Sequence, residues 1–184
     1  GFQMNRLIQG DVGSGKTVVA IISCMICVDN NFQACLMAPT EVLAFQHYKN
    51  ITNFCQKMDL NISLITGSIK SSEKKKILSD LENGKINIII GTHSLIQPNV
   101  KFNNLGLVVI DEQHKFGVAQ RASLLTKSKL LPHIMILTAT PIPRTLAMTF
   151  YGDLDVSIID EMPPGRKSIK TIHKFDKDKE SIFS

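Results

Sequence analysis

Short, consecutive apolar runs recur along the chain at Asn5–Gln9, Ala34–Ala38, Asn61–Thr66, Asn87–Gly91, Leu105–Ile110, Ile134–Thr138 and Val156–Ile159. Runs such as LGLVVI are apolar at successive positions rather than at alternate ones, as expected of strands buried on both faces. Most of the intervening stretches space their apolar residues at helical intervals. This alternation predicts a three-layer α/β domain around a mainly parallel central sheet, because parallel neighbours need crossover connections and helices usually supply them. In such a sheet, ligands bind outside the carboxyl ends of the strands, so the residues that follow each run become the candidates for chemistry.

Composition fits one such domain. The chain has 184 residues, 43% of them hydrophobic and 20% charged. Length and apolar content suffice for a single sizeable core. No apolar stretch approaches a membrane span, and Gly1–Arg6 lacks the apolar region of a secretion signal, so the expected location is cytoplasmic. The formal net charge of +5 suits a polyanionic partner without requiring one. The basic run Lys70–Lys76 (KSSEKKK) reads as a helix start, with Ser71 or Ser72 as cap, Glu73 in the first turn and lysines on a solvated face.

The remaining polar signals are plainer. Cys24 and Cys27 form a CxxC, but they lie in the apolar run VVAIISCMICV on one helical face and read as buried small residues. Cys35 and Cys55 complete no paired framework with them. His47, on an expected helix, and His133, beside a strand, read as structural or surface residues. The turn-rich Met162–Arg166 (MPPGR) marks the expected end of a domain over 1–162, with 163–184 as the start of a linker.

Candidate chemistry begins at Gly10–Thr17, GDVGSGKT, which fits GxxxxGK[ST] with an apolar run before it and a helical pattern after it. Glycines at 10, 13 and 15 would let the loop of Gly10, Asp11, Val12, Gly13, Ser14, Gly15, Lys16 and Thr17 turn its N–H groups toward a polyphosphate, aided by the following helix N-terminus. Lys16 would reach the β- and γ-phosphates and Thr17 would offer a hydroxyl to Mg²⁺. Such loops serve GTPases, kinases, transport ATPases and helicases alike. The second signal is Asp111-Glu112-Gln113-His114 at the end of LGLVVI. Two carboxylates ending a buried strand need a cation or donors to meet them. Asp111 is therefore assigned to Mg²⁺, and Glu112 to polarising the attacking water.

DEQH, TATPIPR at Thr138–Arg144 and the phosphate loop together resemble superfamily 2 helicases. The longer matches MNRLIQGDVGSGKT, APTEVLA, GTHSLIQ, DEQHKFGVAQR and TATPIPRTLAMTFYGDLDVSIIDEMPPGR are similar to the RecG family of branched-DNA helicases, over nearly the whole chain. Transcription-repair coupling factors share GTH and TATPIPRTL but typically carry DEEH, so Gln113 favours RecG. The resemblance implies a RecA-like P-loop NTPase fold, ATP and Mg²⁺ as cofactors, and a cytoplasmic, monomeric protein that remodels branched or forked DNA.

By the same resemblance, Lys16, Asp111 and Glu112 are catalytic, and Thr17 and Asp111 hold the metal. Pro39, Thr40, Glu41, Thr66, Gly67, Ser68, Thr92 and His93 would follow one DNA strand's backbone, with Gly91 in the same GTH loop. Gln113, His114, Thr138, Ala139 and Thr140 would couple nucleotide state to DNA grip. A second RecA-like lobe with an arginine finger, an N-terminal wedge domain and an adenine-contacting segment are expected in the same protein outside these residues. Phe45, Lys115 and Ala119 depart from the family pattern (commonly Glu, Arg and Glu) without touching a motif residue, although Lys for Arg can lose a bidentate contact. Two readings hold at different levels: the full protein as an enzyme, an ATP-driven DNA translocase with this chain as its first motor lobe, and the isolated chain as a module that holds nucleotide and touches DNA weakly without useful turnover. A nucleotide-independent scaffold ranks last, because the phosphate and Mg²⁺ residues are all present.

Overall fold

A computed structural model of the chain describes residues 3–112, 127, 131–140 and 154–161. Seven strands, β1 (Asn5–Gly10), β2 (Gln33–Met37), β3 (Ile62–Ile65), β4 (Ile88–Gly91), β5 (Leu105–Asp111), β6 (His133–Thr138) and β7 (Asp155–Ile159), form one sheet in the order β3-β4-β2-β5-β6-β1-β7. Every pairing is parallel. The seven expected strands all form, within a residue or so of the expected ends. Three described α-helices, α1 (Lys16–Asp29), α2 (Glu41–Phe54) and α3 (Ser71–Glu82), follow β1, β2 and β3. The linker expected over 163–184 lies outside the described residues.

The central strands are buried on both faces, and their side chains divide by period two. Ala34 and Leu36 of β2, Ile88 and Ile90 of β4, and Leu107 and Val109 of β5 pack with Ala20, Ile21 and Cys24 of α1 and Ala44 and Ile51 of α2. The alternate residues Cys35, Met37, Ile89, Val108 and Ile110 pack on the opposite face with Leu81 of α3. α1 and α2 therefore cover one face and α3 the other, which gives the three layers. The edge strands β3 and β7 are only partly buried.

Local chemistry sets the helix starts. Thr40 is extended at φ −135°, and its hydroxyl accepts from the Leu43 N–H, so α2 is capped by its own sequence. α3 differs from expectation: Lys70 occupies the cap position, no side chain caps it, and Ser71 is already in the first turn. Glu73 does stand in the first turn, and Lys70, Lys75 and Lys76 are exposed, as a solvated face requires. The four cysteines are free thiols, and burial pushes Cys27 up to about 11 and Cys35 up to about 12. Such thiols stay protonated at neutral pH and suit packing, not redox work.

One buried polar residue holds the far ends of the strands. Gln33, 5% exposed, donates from Nε2 to the carbonyls of Leu81 (3.0 Å) and Ile86 (2.8 Å). Its Oε1 accepts from the N–H groups of Asn103 (2.8 Å) and Asn104 (3.0 Å). The amide thus satisfies backbone groups from α3, the approach to β4 and the approach to β5. Gln33→Leu would strand these groups in the interior. We expect it to cost about 3 kcal/mol or more, because each buried orphan costs roughly 1–3 kcal/mol. Thermal melting checks this; an unchanged midpoint would show that the groups find other partners.

Candidate functional site

The phosphate loop leaves β1 at Gly10 and enters α1 at Lys16. Gly13 (φ 83°) and Gly15 (φ 97°) are left-handed, a conformation that costs a residue with a Cβ about 1–2 kcal/mol. Gly10 has a different reason to be glycine. It is crowded, and a Cβ there would lie 2.5 Å from Ser14 Oγ and 3.1 Å from the Ile159 carbonyl oxygen. The loop is braced internally by Ser14 N–H on the Asp11 carbonyl (3.1 Å) and Val12 N–H on Asp11 Oδ1 (2.7 Å). Lys16 Nζ donates to the carbonyls of Gly10 (2.7 Å) and Asp11 (2.8 Å), which holds the ammonium within the loop. Thr17 follows in the first turn of α1, which has no acidic residue to oppose an anion at its N-terminus.

Asp111 closes β5, in register with Leu137 of β6, while Gln9 of β1 is in register with Thr138. The loop and Asp111 thus stand at the same end of the sheet with β6 between them, about 10 Å apart by strand spacing. The Asp111 side chain is 14% exposed, and its Oδ2 lies 2.7 Å from His47 Nε2. Glu112 has φ 49°, unusual for a residue with a side chain, and its N–H donates to the Leu137 carbonyl at 3.0 Å. That left-handed step breaks the strand alternation that would send consecutive side chains to opposite faces. Thr138, buried, accepts from the Thr140 N–H at 3.1 Å and so turns the chain beside Ala139 at the same rim. Gln113 and His114 lie outside the described residues.

The other half of the rim is made by β3, β4 and β2. Pro39, Thr40 and Glu41 follow β2, Thr66, Gly67 and Ser68 follow β3, and Thr92 and His93 follow β4. Direct bonds join these three segments. Glu41 accepts from Ser68 N–H (3.2 Å, Oε1) and Ser68 Oγ (2.9 Å, Oε2), and Ser68 Oγ is 3.0 Å from Thr66 Oγ1. Ser94 Oγ donates to the Ile65 carbonyl at 3.0 Å. Gly91 packs so closely on Ile65 that a Cβ would collide with its carbonyl oxygen. Thr40 and Glu41, read from sequence as DNA contacts, thus spend their polar side-chain groups on capping α2 and on holding Ser68. Gly67, Ser68 and His93 are exposed along the strip.

A family model described as DEAD/DEAH box helicase matches residues 3–149. The chain belongs to this family. Among curated helicase relatives, it is 52% identical over 181 residues to the ATP-dependent DNA helicase RecG of Aquifex aeolicus, covering 98% of this chain and 23% of the relative. It is 55% identical over 168 residues to RecG of Synechocystis, covering 91% and 20%. A solved structure of RecG bound to a three-way DNA junction superposes with TM-score 0.83 at 45% identity, covering 98% of this chain and 24% of that one. The Hef helicase domain of Pyrococcus furiosus shares the fold, with TM-score 0.62 at 21% identity over 85% of this chain and 35% of that one. The chain thus spans about a quarter or less of the RecG relatives described above. Among the described residues, no helix is long and apolar enough to cross a membrane.

Sequence reading missed the two links that organise this rim. His47, read as structural or surface, is 6% exposed and bonded to the candidate metal carboxylate. Ser94 was not singled out, although its neighbours Thr92 and His93 were. Their partners are 64 and 29 residues away in sequence. No local pattern encodes contacts at that range. His133 does take a structural role: its Nδ1 accepts from the Met4 N–H at 2.8 Å.

Proposed function

We propose that this chain is the first motor lobe of an ATP-driven helicase that remodels branched or forked DNA, in a protein of the RecG type. The observation that carries the reading is the division of one rim into two adjoining halves. The loop at 10–17 and Asp111–Glu112 occupy β1-β6-β5, and the Pro39–Glu41, Thr66–Ser68 and Thr92–His93 segments occupy β3-β4-β2. A motor needs the two sites on one rigid body, and a single sheet provides it.

The donor set fits ATP and Mg²⁺. Two left-handed glycines curve the loop, as an N–H cradle requires, and a partly buried carboxylate with one donor among the described residues retains acceptor capacity for a cation. Thr17 and Asp111 would hold Mg²⁺, which supplies positive charge against the phosphate oxygens. Lys16 exchanges its two backbone carbonyls for β- and γ-phosphate oxygens. Glu112 would orient the attacking water and take its proton as the water oxygen bonds to the γ-phosphorus and the bond from that phosphorus to the β–γ bridging oxygen breaks, releasing ADP and phosphate. Little basicity is needed, since phosphoryl transfer depends mostly on positioning and charge stabilisation. Thr138, Ala139 and Thr140, with Gln113 and His114, relay nucleotide state to the DNA half. The second RecA-like lobe and the wedge domain act in cis from the rest of a monomeric protein.

DNA would lie along the second half by its phosphates, met by Thr92, His93 and the exposed backbone at Gly67, while Ser68, whose N–H and Oγ both donate to Glu41, shapes the strip. Glu41 serves that surface by fixing Ser68, since a free carboxylate would repel phosphate. Affinity of the full-length protein for forked DNA should therefore fall steeply with salt, on the order of 10³-fold or more between 50 and 200 mM if six or more phosphates are met, with little sequence preference. Anisotropy titrations measure this, and a salt-independent affinity would count against the strip. The transcription-repair coupling reading is not favoured, because the curated relatives described above at 52–55% identity are RecG proteins.

A further inference from the structure

α2 begins in the DNA half of the rim, yet one of its side chains reaches the nucleotide half. His47 Nε2 lies 2.7 Å from Asp111 Oδ2, with the two side chains 7% and 14% exposed. An ionised carboxylate only accepts, so Nε2 carries the proton and donates. The other ring nitrogen, Nδ1, is buried with no hydrogen-bond partner among the described residues. Leaving a polar atom buried and unpaired costs free energy that an aliphatic side chain at this position would avoid. The imidazole is a poor choice for packing alone, and its one polar contact among the described residues is with Asp111.

We infer that His47 is a positioning residue for the metal-binding carboxylate. With Oδ2 anchored by His47, the carboxylate plane is fixed and Oδ1 is left in a defined place to meet a cation. Partners that orient a ligating group in this way are worth roughly 10- to 100-fold in metal affinity. The inference rests on the reading of Asp111 as a metal ligand, and adds that a helix outside the nucleotide motifs sets its geometry. The same helix carries Thr40 at its cap and Glu41 in its first turn, so the orientation of Asp111 is tied to the element that borders the DNA strip.

The test uses the full-length protein with Mn²⁺, an oxygen-seeking octahedral ion like Mg²⁺, titrated by electron paramagnetic resonance with ADP saturating. His47→Leu should weaken Mn²⁺ binding by about 10- to 100-fold. ADP affinity in EDTA, which depends on Lys16 and the loop N–H groups, should not change. His47→Gln, whose amide can donate to the same oxygen, should recover most of the loss. Unchanged Mn²⁺ affinity in His47→Leu overturns the inference. So does a parallel loss of metal-free ADP binding in both variants, which would make His47 a folding residue. Failure of the unsubstituted protein to bind Mn²⁺ with ADP would instead sink the assignment of Asp111 itself.

Discussion

Glu112→Gln in the full-length protein should leave MgATP affinity essentially unchanged while cutting DNA-stimulated hydrolysis by about 10²- to 10⁴-fold, the usual worth of a positioned acid or base. The amide keeps the size of the side chain and the backbone bond from Glu112 N–H to the Leu137 carbonyl, so the left-handed turn after β5 survives. Only the carboxylate proposed to orient water and accept its proton is lost. Lys16→Ala should act on the other step. Removing the ammonium that the loop holds through Gly10 and Asp11 deprives the phosphates of their cation, and nucleotide binding itself weakens. Equilibrium binding and single-turnover hydrolysis on the same preparations separate the two effects. Equal effects of both substitutions on both steps would contradict the roles assigned.

The second large effect concerns the lobe alone. The 184-residue chain should bind MgATP but turn it over about 10³- to 10⁵-fold more slowly than the full-length protein, because an arginine finger is worth that much where it has been measured. We propose that the arginine comes from the second lobe, across the nucleotide. Hydrolysis by the isolated chain near the full-length rate, abolished by Glu112→Gln, would mean that the lobe completes its own site.

Much of this was legible in the sequence, for identifiable reasons. Ile88–Gly91 and Leu105–Asp111 could be placed as buried strands because apolar residues stand at successive positions, a pattern no amphipathic helix shows. Gly13 and Gly15 marked a loop free to turn its N–H groups toward a polyphosphate, and the structure holds both in the left-handed region. Asp111 and Glu112 could be seen to end a buried strand. The start of α3 was less readable: Lys70, Ser71 and Ser72 are neighbouring candidates, and the backbone turns one residue earlier than serine capping would need. Long-range polar contacts were not readable at all. Gln33 looks like a polar residue at the margin of a strand until Asn103 and Asn104 arrive from about 70 residues away. His47 looks like one more helical histidine until the sheet order sets β5 beside β2 and brings Asp111 within reach. The strip showed the same limit. Its three segments were recognisable one by one, but the division of labour, with Glu41, Ser68 and Ser94 bracing and Gly67 and His93 presented, depends on contacts between strands.

Whether this chain is a competent nucleotide half-site of a helicase motor is tested by a calorimetric titration of the isolated chain with MgATP. It is run beside Lys16→Ala, with phosphate release followed in the same samples with and without forked DNA. Saturable one-site binding that Lys16→Ala weakens, with no appreciable release of phosphate under either condition, is the expected result. Binding that survives Lys16→Ala unchanged, or no binding by a folded chain, would contradict it.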